Sequence, residues 1–197
     1  MGEVTIRLNR SGLEQGRMWQ AVLAAVAILL PMAIWAGTER LIGSTTQALD
    51  PDEAISLQSF PVDSASLEFH VPGEGWTTGV GLSAQQRALS NGRTSATVEV
   101  DANVDSLRTL LDRRSDRLTS SQVGLAATNV REYENEESGL EGYRADLYGR
   151  DSAGSIVVVG NGKGAAASLI VLAPSDKLKA ATAGADDFVA SFKLEGE

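Results

Sequence analysis

A single histidine, a glycine-rich loop carrying one lysine, and a run of glutamates are the features of this 197-residue chain from which chemistry could be built. There is no cysteine, which excludes disulfides, thiolate metal sites, a cysteine nucleophile and a lipid-modified cysteine. His70 is the only histidine, so any scheme that needs two is closed and only a Ser-His-Asp arrangement stays formally open. No Gly-x-Ser-x-Gly pattern accompanies it, and its phase, opposite to Phe69, predicts an exposed strand residue. Gly160-Asn161-Gly162-Lys163-Gly164 resembles a phosphate cradle in composition. Its spacing is wrong, however, because Ala165 stands where Ser or Thr should be and the chain resumes as a strand, so a hairpin turn is expected. Glu132, Glu134, Glu136, Glu137 and Glu141 could attract Ca²⁺ or a basic partner, but they lack the Asp-x-Asn-x-Asn-Gly spacing of a calcium loop, and a solvated acidic loop is the reading favoured. Trp76 is expected in the core. No residue set points to a catalytic centre, a cofactor or a metal.

The elements that would position these residues are short strands and two helices. Leu67, Phe69 and Val71 alternate with Glu68 and His70, and Pro72-Gly73-Glu74-Gly75 ends that strand before Trp76. Gln86 to Ser90 and Arg93 to Val100 flank Asn91-Gly92, a strong hairpin signal because both residues accept positive φ. Asn103 or Asp101 is a candidate cap for a helix with Val104, Leu107, Leu110, Leu111 and Leu118 on one face. Arg108, Asp112, Arg113, Asp116 and Arg117 fill its other face, as a solvated salt-bridged surface does. Strands are predicted over Ala127 to Tyr133, Gly142 to Tyr148, Ser155 to Val159 and Ala165 to Leu172. A last helix, capped by Ser175, follows with Leu178, Ala181, Ala185, Phe188, Val189 and Phe192 at helical spacing. About six strands and two main helices make an antiparallel sheet with helices packed on it.

Composition allows one core: 43% of residues are hydrophobic and 22% charged, near the globular norm. Ahead of that core, residues 18–36 hold no charged side chain, and as a helix they would extend ~29 Å, close to a hydrocarbon core of ~30 Å. Trp19 and Trp35 stand near the ends of this stretch, Pro31 would bend its last turns, and Ala24 and Ala25 belong to a small-residue face suited to close helix approach. Arg7, Arg10 and Arg17 precede it and Arg40 stands alone after it, so residues 1–17 are expected in the cytoplasm. A cleaved signal peptide is the competing reading. Around Ala33 to Thr38 Ile34 and Trp35 interrupt the small residues, and the missing Ala-x-Ala site there argues for a retained anchor. Residues 37–65, polar and aperiodic, are expected to be an extracytoplasmic linker, with a short helix from Pro51 capped by Asp50 as an option. The net charge is −9; setting aside the three Arg and two Glu of residues 1–17 leaves 14 basic against 24 acidic residues, or −10. Nucleic acid and bare anionic lipid headgroups would repel such a domain.

The fold class expected is therefore α+β: an N-terminal transmembrane helix, then residues 66–197 as an antiparallel sheet packed with two main helices. In element order the region resembles the PsbP-like family of photosystem and actinobacterial envelope proteins. The features that carry the resemblance are the opening strand with its Gly-Trp (Leu67 to Trp76), the central helix (Val104 to Thr119), Gly142-Tyr143, the paired strands, and the closing Ser191-Phe192-Lys193-Leu194. The chain departs from the family's lipoproteins in having a span in place of a lipidated cysteine. The resemblance implies a non-enzymatic role, docking onto a larger membrane assembly or binding an envelope ligand, and assigns no site residues. Size, single span and acidic outer domain are also similar to small accessory subunits of the actinobacterial respiratory supercomplex of cytochrome bcc with an aa-type oxidase. The expectation is a single-pass accessory subunit in the cytoplasmic membrane, with integral membrane subunits and surrounding lipid as partners. An envelope module binding a lipid, glycan or peptide is the alternative.

Overall fold

The computed structural model describes residues 26–29, 46–61, 64–79, 83–122 and 124–196, and the chain divides into a unit of residues 1–45 and a unit of residues 46–197. In the first unit Val26, Ala27, Ile28 and Leu29 are helical and exposed. The rest of the expected span, with Trp19, Ala24, Ala25, Pro31 and Trp35, lies outside the described residues. Among the described residues no helix is long and apolar enough to cross a membrane.

The second unit is α+β. Its strands are β1 (Gln47–Ala48), β2 (Ile55–Gln58), β3 (Ala65–Phe69), β4 (Thr77–Thr78), β5 (Gln86–Asn91), β6 (Thr94–Asp101), β7 (Ala126–Asn135), β8 (Leu140–Tyr148), β9 (Ser152–Gly160), β10 (Ala166–Pro174) and β11 (Lys193–Gly196). Helix α1 is Leu107–Ser121 and α2 is Leu178–Ala190. An eight-stranded antiparallel sheet runs β1-β4-β5-β6-β10-β9-β8-β7, and a second sheet of three strands runs β11-β3-β2.

Alternation along β9 and β10 sorts the core into two layers, because successive side chains of a strand point to opposite faces. Val157, Val159, Leu169 and Val171 pack with α2 and the small sheet, where Leu67, Phe69, Trp76, Phe188 and Phe192 close the interior. Trp76 meets Phe188 edge-on at 5.1 Å between ring centres, and its indole N–H donates to the carbonyl of Pro72 at 3.1 Å. On the opposite face Ile156, Val158 and Ala166 pack with Leu110 and Leu111 of α1. Gly142 is required in β8, since a Cβ there would run into the carbonyl oxygen of Val158.

Five expectations are corrected. The folded domain begins at Thr46, not at residue 66: β1 and β2 fall within the expected linker and pair with β4 and β3, and Leu57 is fully buried. The Ile-Ser-Leu-Gln alternation of residues 55–58 is what lets that stretch pair. No helix starts at Pro51; Asp50 closes a turn instead, its carboxylate accepting from the amide of Asp52 at 3.0 Å. Helix α1 is capped by Ser106, whose hydroxyl accepts from the amide of Thr109 at 3.3 Å. Asp101 is bound to Arg114 and Asn103 sits at φ 55°, so neither caps. Ser175 does not cap α2, because the chain leaves Pro174 through a 3-10 turn, Ser175–Lys177, before the helix begins at Leu178. In the β5–β6 hairpin Asn91 pairs with Thr94, so the two-residue loop is Gly92-Arg93, with positive φ at Gly92 alone. Asn91 instead uses its side-chain amide to hold the carbonyl of Glu74 at 3.0 Å.

Candidate functional site

Helix α1 lies across the sheet with an open concavity on each side. On the β7–β8 side a hollow of about 590 Å³ is lined by Leu107, Glu132, Glu134, Glu141 and Tyr143. Register explains the clustering: Glu132 stands opposite Tyr143 and Glu134 opposite Glu141, so all four side chains share the α1 face of the β7–β8 pair. The three carboxylates are exposed, and among the described residues none makes an ion pair or a side-chain hydrogen bond. Arg108 sits over the Tyr143 ring at 5.8 Å but pairs with Asp112 at 3.4 Å. Glu136 and Glu137 lie apart from this group in the hairpin turn, which is organised by Asn135 accepting from the amides of Glu137 and Ser138.

On the β5–β6 side a smaller hollow of about 320 Å³ is lined by Gln85, Gln86, Glu99, Arg113, Arg114 and Arg117, among others. Arg114 is 8% exposed and grips both Glu99 and Asp101, the latter at 2.8 Å. Burial pushes the Glu99 carboxyl above its ordinary range, outweighing the opposing pull of Arg114. The position of Arg114 was legible, since it follows Leu110 and Leu111 by four and three residues and so falls on the apolar stripe. Its partners on β6 were not.

A second buried arginine ties α2 to the sheet. Arg144 of β8 is 4% exposed and donates to Asp186 at 2.8 Å, to the Thr182 carbonyl at 3.0 Å and to the Ser155 hydroxyl at 3.2 Å. Tyr133 donates to the same Asp186 carboxylate at 2.9 Å, and burial pushes its phenol up to about 12. Beside them Arg131 forks onto Asp146, both bonds at 3.0 Å, and holds that carboxyl below its usual range. Sequence spacing gives no hint of the Arg144 cluster, whose members come from three strands and a helix.

The residues singled out from sequence do not converge. His70 follows β3, half-buried, with its backbone amide and carbonyl both bonded to the Ser191 hydroxyl. The 160–164 loop is the expected turn between β9 and β10: Asn161 accepts from the amides of Lys163 and Ala165, so those donors are already engaged. Trp76 is buried in the core as expected. Among the described residues no group of three or more His, Cys, Asp or Glu is placed to hold a metal ion.

No family model matches the chain, and no curated protein matches it. Among solved structures, the solution structure of cyanobacterial PsbP (CyanoP) from Synechocystis sp. PCC 6803 superposes with a TM-score of 0.50 at 12% sequence identity, over 78% of this chain and 96% of that one. The fold is PsbP-like. At that identity the likeness is one of architecture. On its α1 face this domain carries three unpaired carboxylates on one flank of the helix and an arginine cluster with Glu99 and Asp101 on the other.

Proposed function

We propose that this protein is a non-catalytic accessory subunit of a membrane protein complex, bracing integral membrane subunits on the extracytoplasmic side. The PsbP-like fold is the observation that carries this reading, since docking onto a larger membrane assembly is one role that resemblance implies. Two further features support it. The uncharged stretch 18–36 with arginines ahead of it suits a single-pass anchor with its N-terminus in the cytoplasm. The two deeply buried arginines are both engaged by neighbouring carboxylates. The assembly we put first is the actinobacterial cytochrome bcc/aa-type oxidase supercomplex, on the similarity in size, span and charge.

A binding module for a lipid, glycan or peptide is favoured by one feature. A hollow of about 510 Å³ beside α2 is walled by Pro72, Trp76, Val171, Ala173, Ala181 and Phe188, a size within the range of ligand sites. The deciding experiment is affinity purification of the full-length chain in mild detergent with mass spectrometry. Stoichiometric integral membrane subunits are the expected result. Recovery of the chain alone, or with a small ligand, would overturn the accessory reading in favour of the binding module.

A further inference from the structure

We propose that Asn91-Gly92 is a site of spontaneous deamidation, and that its conversion releases the loop of residues 72–75 at the rim of the hollow beside α2. The inference is independent of the accessory-subunit reading. An asparagine followed by glycine is open to this chemistry because a residue without a Cβ lets its own amide nitrogen approach the preceding side chain. The Gly92 nitrogen attacks Asn91 Cγ, the Cγ–Nδ2 bond breaks, and Nδ2 leaves as ammonia with the proton of the attacking amide. Water then opens the cyclic imide at either carbonyl, which leaves aspartate or its β-linked isomer.

The Asn-Gly pair occurs twice, at 91–92 and at 161–162, and the fold separates the two. In both loops the glycine has positive φ and open space where a Cβ would stand, and among the described residues its amide has no hydrogen-bond partner. The asparagines differ. Asn161 is held at both side-chain atoms: Oδ1 accepts from the amides of Lys163 at 2.9 Å and Ala165 at 3.3 Å, and Nδ2 donates to the Gly196 carbonyl at 3.0 Å. Asn91 is held by one bond, from Nδ2 to the Glu74 carbonyl at 3.0 Å. Swinging Cγ onto the following nitrogen therefore breaks three bonds at Asn161 and one at Asn91. That one bond is also the tie between the β5–β6 turn and the loop ahead of Trp76. Asn91, Pro72 and Trp76 line the hollow together, and the Trp76 indole donates to the Pro72 carbonyl. A carboxylate at position 91 has no N–H to offer Glu74, so the tie is lost and the Pro72 wall of the hollow loosens with it.

The test incubates the full-length chain in mild detergent at mildly alkaline pH, beside a sample unfolded in guanidinium chloride, and follows conversion of amide to acid at residues 91 and 161 by peptide mass spectrometry. Each folded-state rate is taken relative to the same residue's rate in the unfolded sample. Folding is expected to slow residue 161 by roughly tenfold more than residue 91, the factor that two further hydrogen bonds supply. Equal slowing at the two positions, or an Asn91 that stays intact over the time in which the unfolded chain converts, overturns the site. The consequence is read in a chain carrying Trp19→Phe/Trp35→Phe, where Trp76 is the only indole. There Asn91→Asp should raise acrylamide quenching of Trp76 and shift its emission to the red, and unchanged fluorescence overturns the release of the loop.

Discussion

The two faces of the large sheet are built from the same strands yet closed to different degrees. The α2 face is covered by a helix and a second sheet, with Phe69, Trp76, Phe188 and Phe192 interlocked over it. The α1 face carries one helix over its middle, leaving a hollow on each flank lined by charged groups. The apolar layer is thicker on the α2 side, although a groove beside α2 leaves part of it open. The buried arginines of the two faces differ in the same sense. Arg144 bonds a helix carbonyl and a buried hydroxyl as well as Asp186, whose side chain is 44% exposed, whereas Arg114 faces two carboxylates that are themselves 16% and 28% exposed.

Core truncation breaks this comparison most directly. Phe188→Ala should lower unfolding free energy by about 3–5 kcal/mol and Leu111→Ala by about 2–5 kcal/mol, the greater loss following the larger side chain removed. Denaturant titration of both variants measures the order, and a larger loss for Leu111→Ala would contradict it.

The arginines sharpen it next. Arg114→Met strands two carboxylates in a partly buried site and should cost about 3–5 kcal/mol at neutral pH. Arg144→Met leaves one carboxylate that reaches water, so its cost should be smaller, about 1–3 kcal/mol for the orphaned hydroxyl and carbonyl. Equal losses by the same titration would mean that the exposure of the remaining acid does not decide the cost.

The smallest effects are pH-dependent and opposite in sign. Glu99 has a raised carboxyl in the fold, so the folded state holds its proton more tightly. Its stabilising contribution is complete below the unfolded value of about 4.3 and is lost as pH rises through the folded value. Asp146 is lowered by Arg131, so its contribution is present above about 3.9 and disappears as pH falls through its folded value. Stability followed against pH should show Glu99→Gln gaining on the native chain as pH rises through the first window. Arg131→Ala should lose about 0.5–1 kcal/mol at neutral pH and nothing in strong acid, since Arg131 is largely solvated.

Much of the scaffold was legible because local chemistry dictates it. Asn161 with its glycines closes a hairpin wherever the flanking runs are apolar, and the spacing of Leu107, Leu110, Leu111 and Leu118 marks a helix face without reference to any partner. Cap choice was less legible: Asp101, Asn103 and Ser106 all have capping side chains, and in the fold Asp101 is bound to Arg114 while Ser106 caps. The two short strands of residues 47–58 were missed because two and four residues carry too little periodicity, and their pairing partners supply the reason they are strands.

By itself, then, the sequence determined where the chain turns, which helix faces are apolar, and that no cysteine or paired-histidine chemistry is available; each is a property of neighbouring residues or of composition. Only the tertiary structure decided that Glu132, Glu134, Glu141 and Tyr143 form one open face and that Arg144 reaches Asp186, because strand register and helix docking bring together residues that no local pattern relates.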